Sequence, residues 1–307
     1  MSLERLDILI DKAREQAIAK SYSSSHGLQQ EFFIVSANNA IRALQRHLSM
    51  EVAECFADYA EDSIVANQEA YSNPPLIFAR HLIYEVEFSV AGLVTGYYPL
   101  NQAYRREFRT AGQPQEWFQD AGSTYIWPVP SAIGGKIRRR YEKILDSVDV
   151  QRGRVVSTTG AAPAYATIVL ETTAPAPDAK LQTTNYTHVN VVDWDGTMKC
   201  RNIPITAYAS ATRTLTIKTG FLAATGESIA AGDYITLGKN AVTHPTVDPC
   251  AEDFFILWMI DEAQAGRSST DTAYSNSKIK EALRQIAEVY SQKPAGKAPI
   301  PEYRGDW

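Results

Sequence analysis

Apolar residues repeat at helical spacing in three successive stretches at the start of the chain. They are Leu6, Ile10, Ala13 and Ala17, then Ile34, Ala37, Ile41, Leu44 and Leu48, then Val52, Cys55, Phe56 and Tyr59. Residues three and four positions apart share one face of a helix, so the spacing predicts three helices. Two adjacent prolines, Pro74 and Pro75, end this helical region because proline cannot continue a helix.

The pattern changes to short β-rich runs in the middle of the chain. Residues 82–88 and 125–130 are rich in aromatic and β-branched side chains, and the prolines at 128 and 130 end the second run. Gly134-Gly135 then turns the chain into a third run over 136–145. Together these runs predict a small antiparallel sheet that lies on the helices.

Residues 151–245 form a Thr-rich segment with few charges. Five β-rich runs lie at 154–156, 167–170, 188–192, 214–217 and 234–237. Turn dipeptides separate them, among them Asp195-Gly196 and Gly232-Asp233. Short strands between regular turn signals predict a small β-sandwich or barrel.

Helix returns near Asp248 and the chain ends in a segment that cannot fold by itself. Residues 254–260 are all apolar, which predicts a helix buried on every side. Ile279, Leu283, Ile286 and Tyr290 then predict a long amphipathic helix. Residues 293–307 are rich in proline and glycine and therefore predict an extended arm.

These elements predict an α+β fold with four parts. Residues 1–150 would form a helical bundle with a small antiparallel sheet, and residues 151–245 an inserted β-sandwich or barrel module. Residues 246–292 would add the C-terminal helices that complete the bundle, and residues 293–307 the extended C-terminal arm.

Charge and cysteine content narrow the classes of function. The chain has 30 basic and 35 acidic residues, a net charge of −5, whereas domains that bind nucleic acid tightly usually carry a basic excess. Cys55, Cys200 and Cys250 stand far apart, which fits a reducing compartment and predicts no zinc site. The longest apolar run is much shorter than the roughly 18 residues of a membrane span, so no membrane partner is expected.

No sequence motif predicts an enzyme or a cofactor. The chain contains no phosphate-binding loop, no dinucleotide-binding glycine pattern and no nucleophile elbow or zinc-protease motif. Asp193-Trp194-Asp195-Gly196 begins like a calcium loop but lacks the later acidic ligands, so a plain hairpin turn is favoured. An alternative function remains open, in which the β module binds carbohydrate on an aromatic platform of Tyr165, Tyr186, Trp194 and Tyr208.

Two basic clusters have two interpretations. Lys136, Arg138 and Arg140 would share one face of a strand with Arg139 and Lys143 on the other, and Arg105, Arg106 and Arg109 form the second cluster. Such runs are usually solvated faces with surface ion pairs. The functional interpretation is that they contact phosphates or acidic patches on a partner. We expect Arg138, Arg139 and Arg140 to pair with acidic residues of an adjacent subunit or another partner protein, and not to hold DNA.

The C-terminal arm carries aromatic and charged side chains suited to docking. Tyr303, Arg304 and Trp307 follow Pro299 and Pro301. Aromatic and arginine side chains contribute most of the binding energy at protein interfaces. These five residues are therefore the predicted partner-binding residues.

The order of several short motifs resembles the head-to-tail adaptor (connector) proteins of tailed bacteriophages. The motifs are Ala66 to Pro74, Ile83-Tyr84-Glu85-Val86-Glu87-Phe88, Tyr98-Pro99-Leu100, Gly112-Gln113-Pro114, Tyr125 to Pro130 and Arg139-Arg140-Tyr141. The resemblance covers residues 1–150 and 248–307, and residues 151–245 look like an insertion into the family pattern.

The resemblance implies a structural virion protein at the head–tail junction, assembled in the bacterial host cytoplasm. Such adaptors form a homo-oligomeric ring, here expected to be dodecameric, beneath the portal protein. The ring extends the DNA channel and offers a docking platform to tail or nozzle proteins, and its C-terminal arms reach the portal or a neighbouring subunit. Genomic DNA passes through the channel without specific binding, which suits an acidic chain.

Overall fold

The structure is a computed structural model of the 307-residue chain. It describes residues 4–19, 30–52, 54–74, 77–78, 83–90, 96–103, 111–120, 122–131, 134–171, 187–264 and 269–292. Contacts divide these residues into two compact units: unit 1 takes those within 1–44 and 146–289, and unit 2 those within 45–145 together with 290–292. The domain limits expected from composition stay predictions.

Four α-helices lie in the described residues. They are α1 (Leu6–Ala19), α2 (Gln30–Glu51), α3 (Glu252–Gln264) and α4 (Ser269–Ser291), with a 3₁₀ turn at Pro249–Ala251 before α3. Sequence spacing predicted all four. In unit 1, α1 packs on α3, and Lys12 Nζ lies 2.5 Å from Glu252 Oε1. Leu6 and Leu9 of α1 and Phe254 of α3 are fully buried. The segment Phe254–Ile260 contributes four of the most buried side chains, which are Phe254, Phe255, Met259 and Ile260. None of the described helices is long and apolar enough to cross a membrane.

Unit 2 contains the first ten strands. They are β1 (Ala57–Ser63), β2 (Ala70–Ser72), β3 (Ile83–Val90), β4 (Tyr97–Pro99), β5 (Asn101–Gln102), β6 (Ala111–Gly112), β7 (Glu116–Asp120), β8 (Ser123–Trp127), β9 (Val129–Pro130) and β10 (Gly135–Glu142). One four-stranded sheet has the order β1-β10-β3-β4 and the other the order β2-β8-β7-β5, while β6 pairs with β9. We call the first of these the β10 sheet.

Both four-stranded sheets contribute to one hydrophobic core in unit 2. Val86 and Ile137 from the β10 sheet and Trp117 and Ile126 from the other sheet are almost fully buried. The side chains alternate along β10, so that Ile137, Arg139 and Tyr141 point inward while the residues between them point outward. This period of two is the property of a strand with one buried face.

The third predicted helix is wrong. Residues from Ala57 form β1, which pairs along its full length with β10. Val52, Cys55, Phe56 and Tyr59 do have helical spacing, but from Tyr59 onward the exposure alternates. Tyr59, Glu61 and Ser63 are exposed, and the residues that follow each of them are less exposed. That alternation suits a sheet edge, and pairing with β10 satisfies the backbone hydrogen bonds that the helix would have formed.

Unit 1 contains the remaining eight strands. They are β11 (Ser147–Val148), β12 (Val155–Ala161), β13 (Ala164–Leu170), β14 (His188–Val192), β15 (Met198–Ala209), β16 (Thr214–Ile217), β17 (Tyr234–Leu237) and β18 (Ala241–Val242). Six of them form one sheet in the order β12-β13-β16-β15-β14-β17, and β11 pairs with β18. The five runs predicted in this segment all contain strands, whereas the longest strand, β15, was not predicted.

The six-stranded sheet curls until its two ends meet at one point. Val155 N donates to Asp233 O over 2.7 Å, Gly232 N donates to Val155 O over 2.8 Å, and Ile235 N donates to Gly153 O over 3.0 Å. The enclosed core is lined by fully buried side chains, which are Ile168, Val189, Val191, Ile203 and Leu215 from the central strands and Ile235 from β17. The sheet is therefore a half-barrel that its first and last strands begin to close.

A buried ionic network connects α2 to this sheet within unit 1. Arg152 donates through Nε and one terminal nitrogen to the Asp149 carboxylate over 2.8–3.0 Å, and its other terminal nitrogen reaches Glu31 Oε1 over 2.5 Å. Leu237 N also donates to Asp149 Oδ2 over 2.7 Å. Burial lowers the pKa of the Arg152 guanidinium, but its hydrogen bonds to Asp149 and Glu31 outweigh burial and the net shift is upward. The side chain therefore stays charged inside the unit.

The predicted fold class, a helical bundle with a small antiparallel sheet and an inserted module, is wrong. In the described part of the chain more residues lie in strands than in helices, and the strands form five sheets. The error arose in unit 2, where most strands are two to five residues long and lack a recognisable alternation. Short strands of this kind depend on the pairing of distant segments, such as β2 with β8, and local sequence does not reveal it.

We expect Arg152→Met to destabilise the protein by about 3–5 kcal/mol, because it leaves Asp149 and Glu31 charged in a buried site without their cation. The matched control is Arg284→Met, since Arg284 also pairs with two carboxylates but its side chain is 60% exposed. Its substitution should cost much less stability, because exposed ion pairs contribute little to it. Urea unfolding at neutral pH measures both, and equal losses would contradict a dominant role of the buried network.

Alkaline pH should destabilise unit 2 through Tyr141. Burial raises the pKa of Tyr141 to about 12, against about 10 for an unfolded chain. Below pH ~10 the phenol is neutral in both states, and its contribution is lost as the pH rises towards ~12 because only the unfolded chain ionises there. Between pH 10 and 12, the free energy of unfolding should fall less steeply in Tyr141→Phe than in the wild type. The two slopes should agree between pH 7 and 9, and agreement above pH 10 as well would contradict the assignment.

Candidate functional site

The outward side of β10 carries the predicted basic cluster. Register along the β10 sheet places its outward residues beside those of the two neighbouring strands, so that Arg138 lies between Glu61 on β1 and Glu87 on β3. We call this surface the β10 face. It consists of Tyr59, Glu61, Glu85, Glu87, Tyr97, Lys136, Arg138 and Arg140, with Glu54 at its end.

Carboxylates of the same chain pair with all three cations of the β10 face. Lys136 Nζ lies 2.8 Å from Glu61 Oε2, Arg138 Nε lies 2.6 Å from Glu87 Oε2, and a terminal nitrogen of Arg140 lies 2.6 Å from Glu54 Oε2. Glu85 lies opposite Arg140 on the same side of the sheet and adds a fourth carboxylate to the three that make these pairs. The face therefore has three cations and four carboxylates, so it has no net positive charge.

Two tyrosine rings enclose the Arg138 guanidinium. Its central carbon lies 4.0 Å from the centre of the Tyr97 ring and 5.0 Å from that of Tyr59. Both distances fall within the range of a cation–π contact. The Tyr97 hydroxyl also donates to Glu61 Oε1 over 2.6 Å. Arg138 is thus fixed from three directions, and the face is a rigid surface of aromatic rings and paired charges.

The pairing also shifts the acid–base properties of the β10 face. The hydrogen bond from Lys136 and then that from Tyr97 lower the pKa of Glu61. The hydrogen bond to Glu61 raises the pKa of Tyr97, and that to Glu87 raises the pKa of Arg138. Each shift favours the protonation state that makes the pair, so the face keeps its pattern of charges near neutral pH.

Arg139 points to the opposite side of β10, into the core of unit 2. The residue is 2% exposed, and a terminal nitrogen donates to Ser72 O over 2.5 Å while the other pairs with Asp62. Burial lowers the pKa of its guanidinium. The structure therefore places Arg139 in the interior of unit 2, where it connects β10 to β2.

A buried carboxylate lies at the end of β10. Glu142 is fully buried and accepts from Ser49 Oγ over 2.8 Å and from the Tyr84 hydroxyl over 2.6 Å. Burial, followed by the hydrogen bond to Glu142, raises the pKa of Tyr84. A hydroxyl that stays protonated continues to donate, so these contacts fix the end of the strand.

The structure brings only part of the predicted site together. Arg138 and Arg140 share the β10 face, Arg139 lies behind it, and all three have carboxylate partners in their own chain. Pairing with an adjacent subunit stays a prediction. The second basic cluster (Arg105, Arg106 and Arg109) and the predicted arm residues (Pro299, Pro301, Tyr303, Arg304 and Trp307) lie outside the described residues.

The aromatic residues considered for carbohydrate binding occupy different environments. Tyr165 belongs to the core of the six-stranded sheet, and its hydroxyl accepts from Ile229 N over 3.1 Å. Tyr208 packs against the same core, Trp194 lies on an exposed turn, and Tyr186 is outside the described residues. In the part of the chain that the structure describes, no three acidic, histidine or cysteine residues are grouped to hold a metal ion.

The partners of the basic residues were not predicted from the sequence. Glu61, Glu87 and Tyr97 come from strands that are 30 or more positions away from Arg138, and only the register of the sheet brings them together. A signal existed in β3, where Glu85 and Glu87 alternate with buried residues as Lys136 and Arg138 do in β10. Charges of opposite sign at the same spacing are typical of neighbouring strands.

Comparison with known proteins gives no family assignment: the sequence matches no family model and no curated protein.

Removing the carboxylates of the β10 face should create DNA binding. In Glu54→Gln/Glu61→Gln/Glu87→Gln, three cations lose their partners while the neutral side chains keep their shape. We expect DNA retention to increase, with the slope of log affinity against log salt concentration steeper by about 0.9 for each cation freed. Filter binding between ~50 and ~200 mM salt measures both.

The control for that variant is Glu15→Gln/Glu51→Gln/Asp253→Asn, which makes the same change of net charge on exposed positions of the helices. It should bind DNA as weakly as the wild type does at ~150 mM salt. Equal retention by the two triple variants would show that net charge, and not the local pairing on the β10 face, controls DNA binding.

Proposed function

We propose that the protein is a head-to-tail adaptor of a tailed bacteriophage. It would form a dodecameric ring beneath the portal, extend the DNA channel and offer a platform to tail or nozzle proteins. Assembly would take place in the host cytoplasm, and the mature ring would stay at the head–tail junction of the virion.

What supports the proposal in unit 2 is that the residues carrying the family resemblance meet around one core. Tyr71, Phe88, Leu100, Ile126 and Tyr141 come from five separate motifs, and all five side chains are buried in the same cluster. Their order along the chain therefore corresponds to one packed arrangement of strands. If these motif residues were scattered over the surface instead, the resemblance would have no physical basis.

The single observation that carries the proposal is the self-neutralised β10 face. Its cations already have carboxylate partners in the chain, so the phosphates of passing DNA would find no unpaired positive cluster there. A rigid surface of tyrosine rings and arginine is, in contrast, well suited to contact another protein. These properties match a subunit that lets DNA slide while it binds its neighbours.

The remaining parts of the chain have proposed roles in the same assembly. The six-stranded sheet of unit 1 would face the outside of the ring or contact tail proteins. Residues 293–307 would form the arm that docks on the portal or on a neighbouring adaptor through Pro299, Pro301, Tyr303, Arg304 and Trp307. An arm rich in proline loses little conformational freedom when it docks, and aromatic side chains can bury roughly 150–250 Å² each.

Binding to tailless, portal-containing heads tests the proposed function. Full-length protein should sediment with the heads, and a chain that ends after Gln292 should not, because it lacks the docking arm. The control is the double variant Tyr303→Ala/Trp307→Ala, which keeps the length of the arm and should weaken binding by at least about tenfold if the aromatic side chains anchor it.

Circular dichroism should show the same helix and strand content in the truncated and full-length proteins, since the truncation removes none of the described elements. Full-length protein that fails to sediment with heads would contradict the proposed function. A truncated chain that sediments as well as the full-length protein would contradict the role of the arm alone.

A further inference from the structure

The turn between β14 and β15 exposes a tryptophan. Trp194 is 75% exposed, although tryptophan is usually one of the more buried residues in folded proteins. Its neighbours Asp193 and Asp195 flank it in the hairpin connection that runs from Asp193 to Thr197. An exposed indole can contact a partner at a low cost in entropy when the backbone that carries it is already held in place.

Hydrogen bonds within the turn hold its backbone. Asp193 N donates to Thr197 O over 2.9 Å, and Thr197 N donates to Asp193 Oδ1 over 2.9 Å and to Asp195 Oδ1 over 2.8 Å. The hydrogen bonds with Asp193 and Thr197 lower the pKa of Asp195 to about 2. Gly196 completes the turn with a φ of +93°, a conformation that side chains rarely adopt.

Other segments of unit 1 hold the same turn from outside. Gln151 Nε2 donates to Asp193 O over 2.8 Å and to Trp194 O over 3.1 Å, and Thr243 Oγ1 donates to Gly196 O over 2.9 Å. A Cβ at Gly196 would lie 2.2 Å from Thr243 Oγ1, so the turn fits closely against that residue. Trp194 is therefore presented at a fixed position, and binding would cost little backbone entropy.

A cleft of about 260 Å³ lies at the same end of the six-stranded sheet. Its lining consists of Arg154, Val155, Val156, Glu171, Ala231 and Gly232. Val192, the last residue of β14, pairs with Tyr234, the first residue of β17, and the two strands are antiparallel. The turn follows Val192 and the cleft residues Ala231 and Gly232 precede Tyr234, so both lie at the same end of this strand pair. Because Trp194 is exposed, it does not fill the cleft of its own chain.

The side chains of the cleft match the chemistry of an indole. Val156, which is 50% exposed, and the exposed Ala231 supply apolar contacts, whereas the Val155 side chain faces the core of the sheet. Arg154 supplies a guanidinium that can stack on the ring, and its distance of 4.0 Å from Glu171 is at the limit of an ion pair. The Glu171 carboxylate can accept the hydrogen bond that a buried indole N–H requires.

We infer that Trp194 of one copy of this chain inserts into the cleft beside Arg154 of a second copy. Asp193 and Asp195 on the incoming turn add negative charge next to Arg154. A contact between two different surfaces of the same chain is heterologous, and repetition of such contacts produces a ring when the rotation closes. The inference adds a specific contact to the proposed function. It rests on that function only in expecting copies of the chain to contact one another.

Sedimentation velocity of the full-length protein tests the contact. Trp194→Ala and Arg154→Ala should each weaken self-association by at least about tenfold, because each removes one side of the contact. Leu222→Ala is the matched control, since Leu222 is another exposed apolar residue of unit 1, and it should associate like the wild type.

Mixing the two variants provides a sharper readout than either alone. Arg154→Ala still carries the tryptophan and Trp194→Ala still carries the intact cleft, so an equimolar mixture should form heterodimers that cannot grow further. Thermal unfolding of each variant at low concentration shows whether it is folded. A wild-type protein that stays monomeric up to about 100 μM, or a Trp194→Ala protein that associates normally, would overturn the inference.

These experiments distinguish a failure of the Trp194 contact from a failure of the proposed function. If the chain self-associates and Trp194→Ala has no effect, the contact is wrong although binding to heads can still occur. If heads do not bind the full-length protein while Trp194→Ala abolishes self-association, the contact is right and the adaptor function is wrong.

Discussion

The buried guanidinium of Arg139 joins the two four-stranded sheets of unit 2. It leaves β10, the second strand of one sheet, and donates to the backbone of β2, the edge strand of the other, while Asp62 balances its charge. Burying a charge in this position costs free energy, and the hydrogen bond to Ser72 O and the ion pair with Asp62, whose side chain is 46% exposed, offset part of that cost. Ile137 and Tyr141 lie on the same side of β10 and belong to the hydrophobic core of unit 2.

The same strand also determines the outward surface. Once Arg139 points inward, the alternation of the strand forces Lys136, Arg138 and Arg140 outward, where β1 and β3 supply the carboxylates. The β10 face is therefore a consequence of how the core is built. Its tyrosine rings and paired charges give unit 2 a rigid surface without net positive charge, which is the property on which the adaptor proposal depends.

Elements that depend on residues close together in the sequence were predicted better than elements that depend on pairing between distant segments. The helices were predictable because Leu6, Ile10, Ile41 and Leu44 repeat within one or two turns. In the six-stranded sheet, runs such as His188–Val192 and Tyr234–Leu237 were recognisable because most of their residues are buried and β-branched or aromatic. β15 was not, because Pro204 and the polar pair Arg201-Asn202 interrupt its apolar residues. Register shifts between β14 and β15 accommodate that interruption, and only the paired structure shows them.

The candidate site was less predictable than the fold elements. The sequence identified Arg138, Arg139 and Arg140 but not their partners, since Glu54, Glu61 and Glu87 approach them only through the sheet. Likewise, Asp193-Trp194-Asp195-Gly196 was correctly interpreted as a hairpin turn, yet the rigidity of that turn depends on Gln151 and Thr243 from distant segments. Local patterns reveal which residues could act, and tertiary contacts decide what surrounds them.

Negative-stain electron microscopy of the full-length protein mixed with purified portal tests the central claim most directly. The account predicts a ring of density seated on one end of the portal, with a central opening continuous with the portal channel. Portal particles without added density, at a protein concentration well above that of the portal, would contradict it.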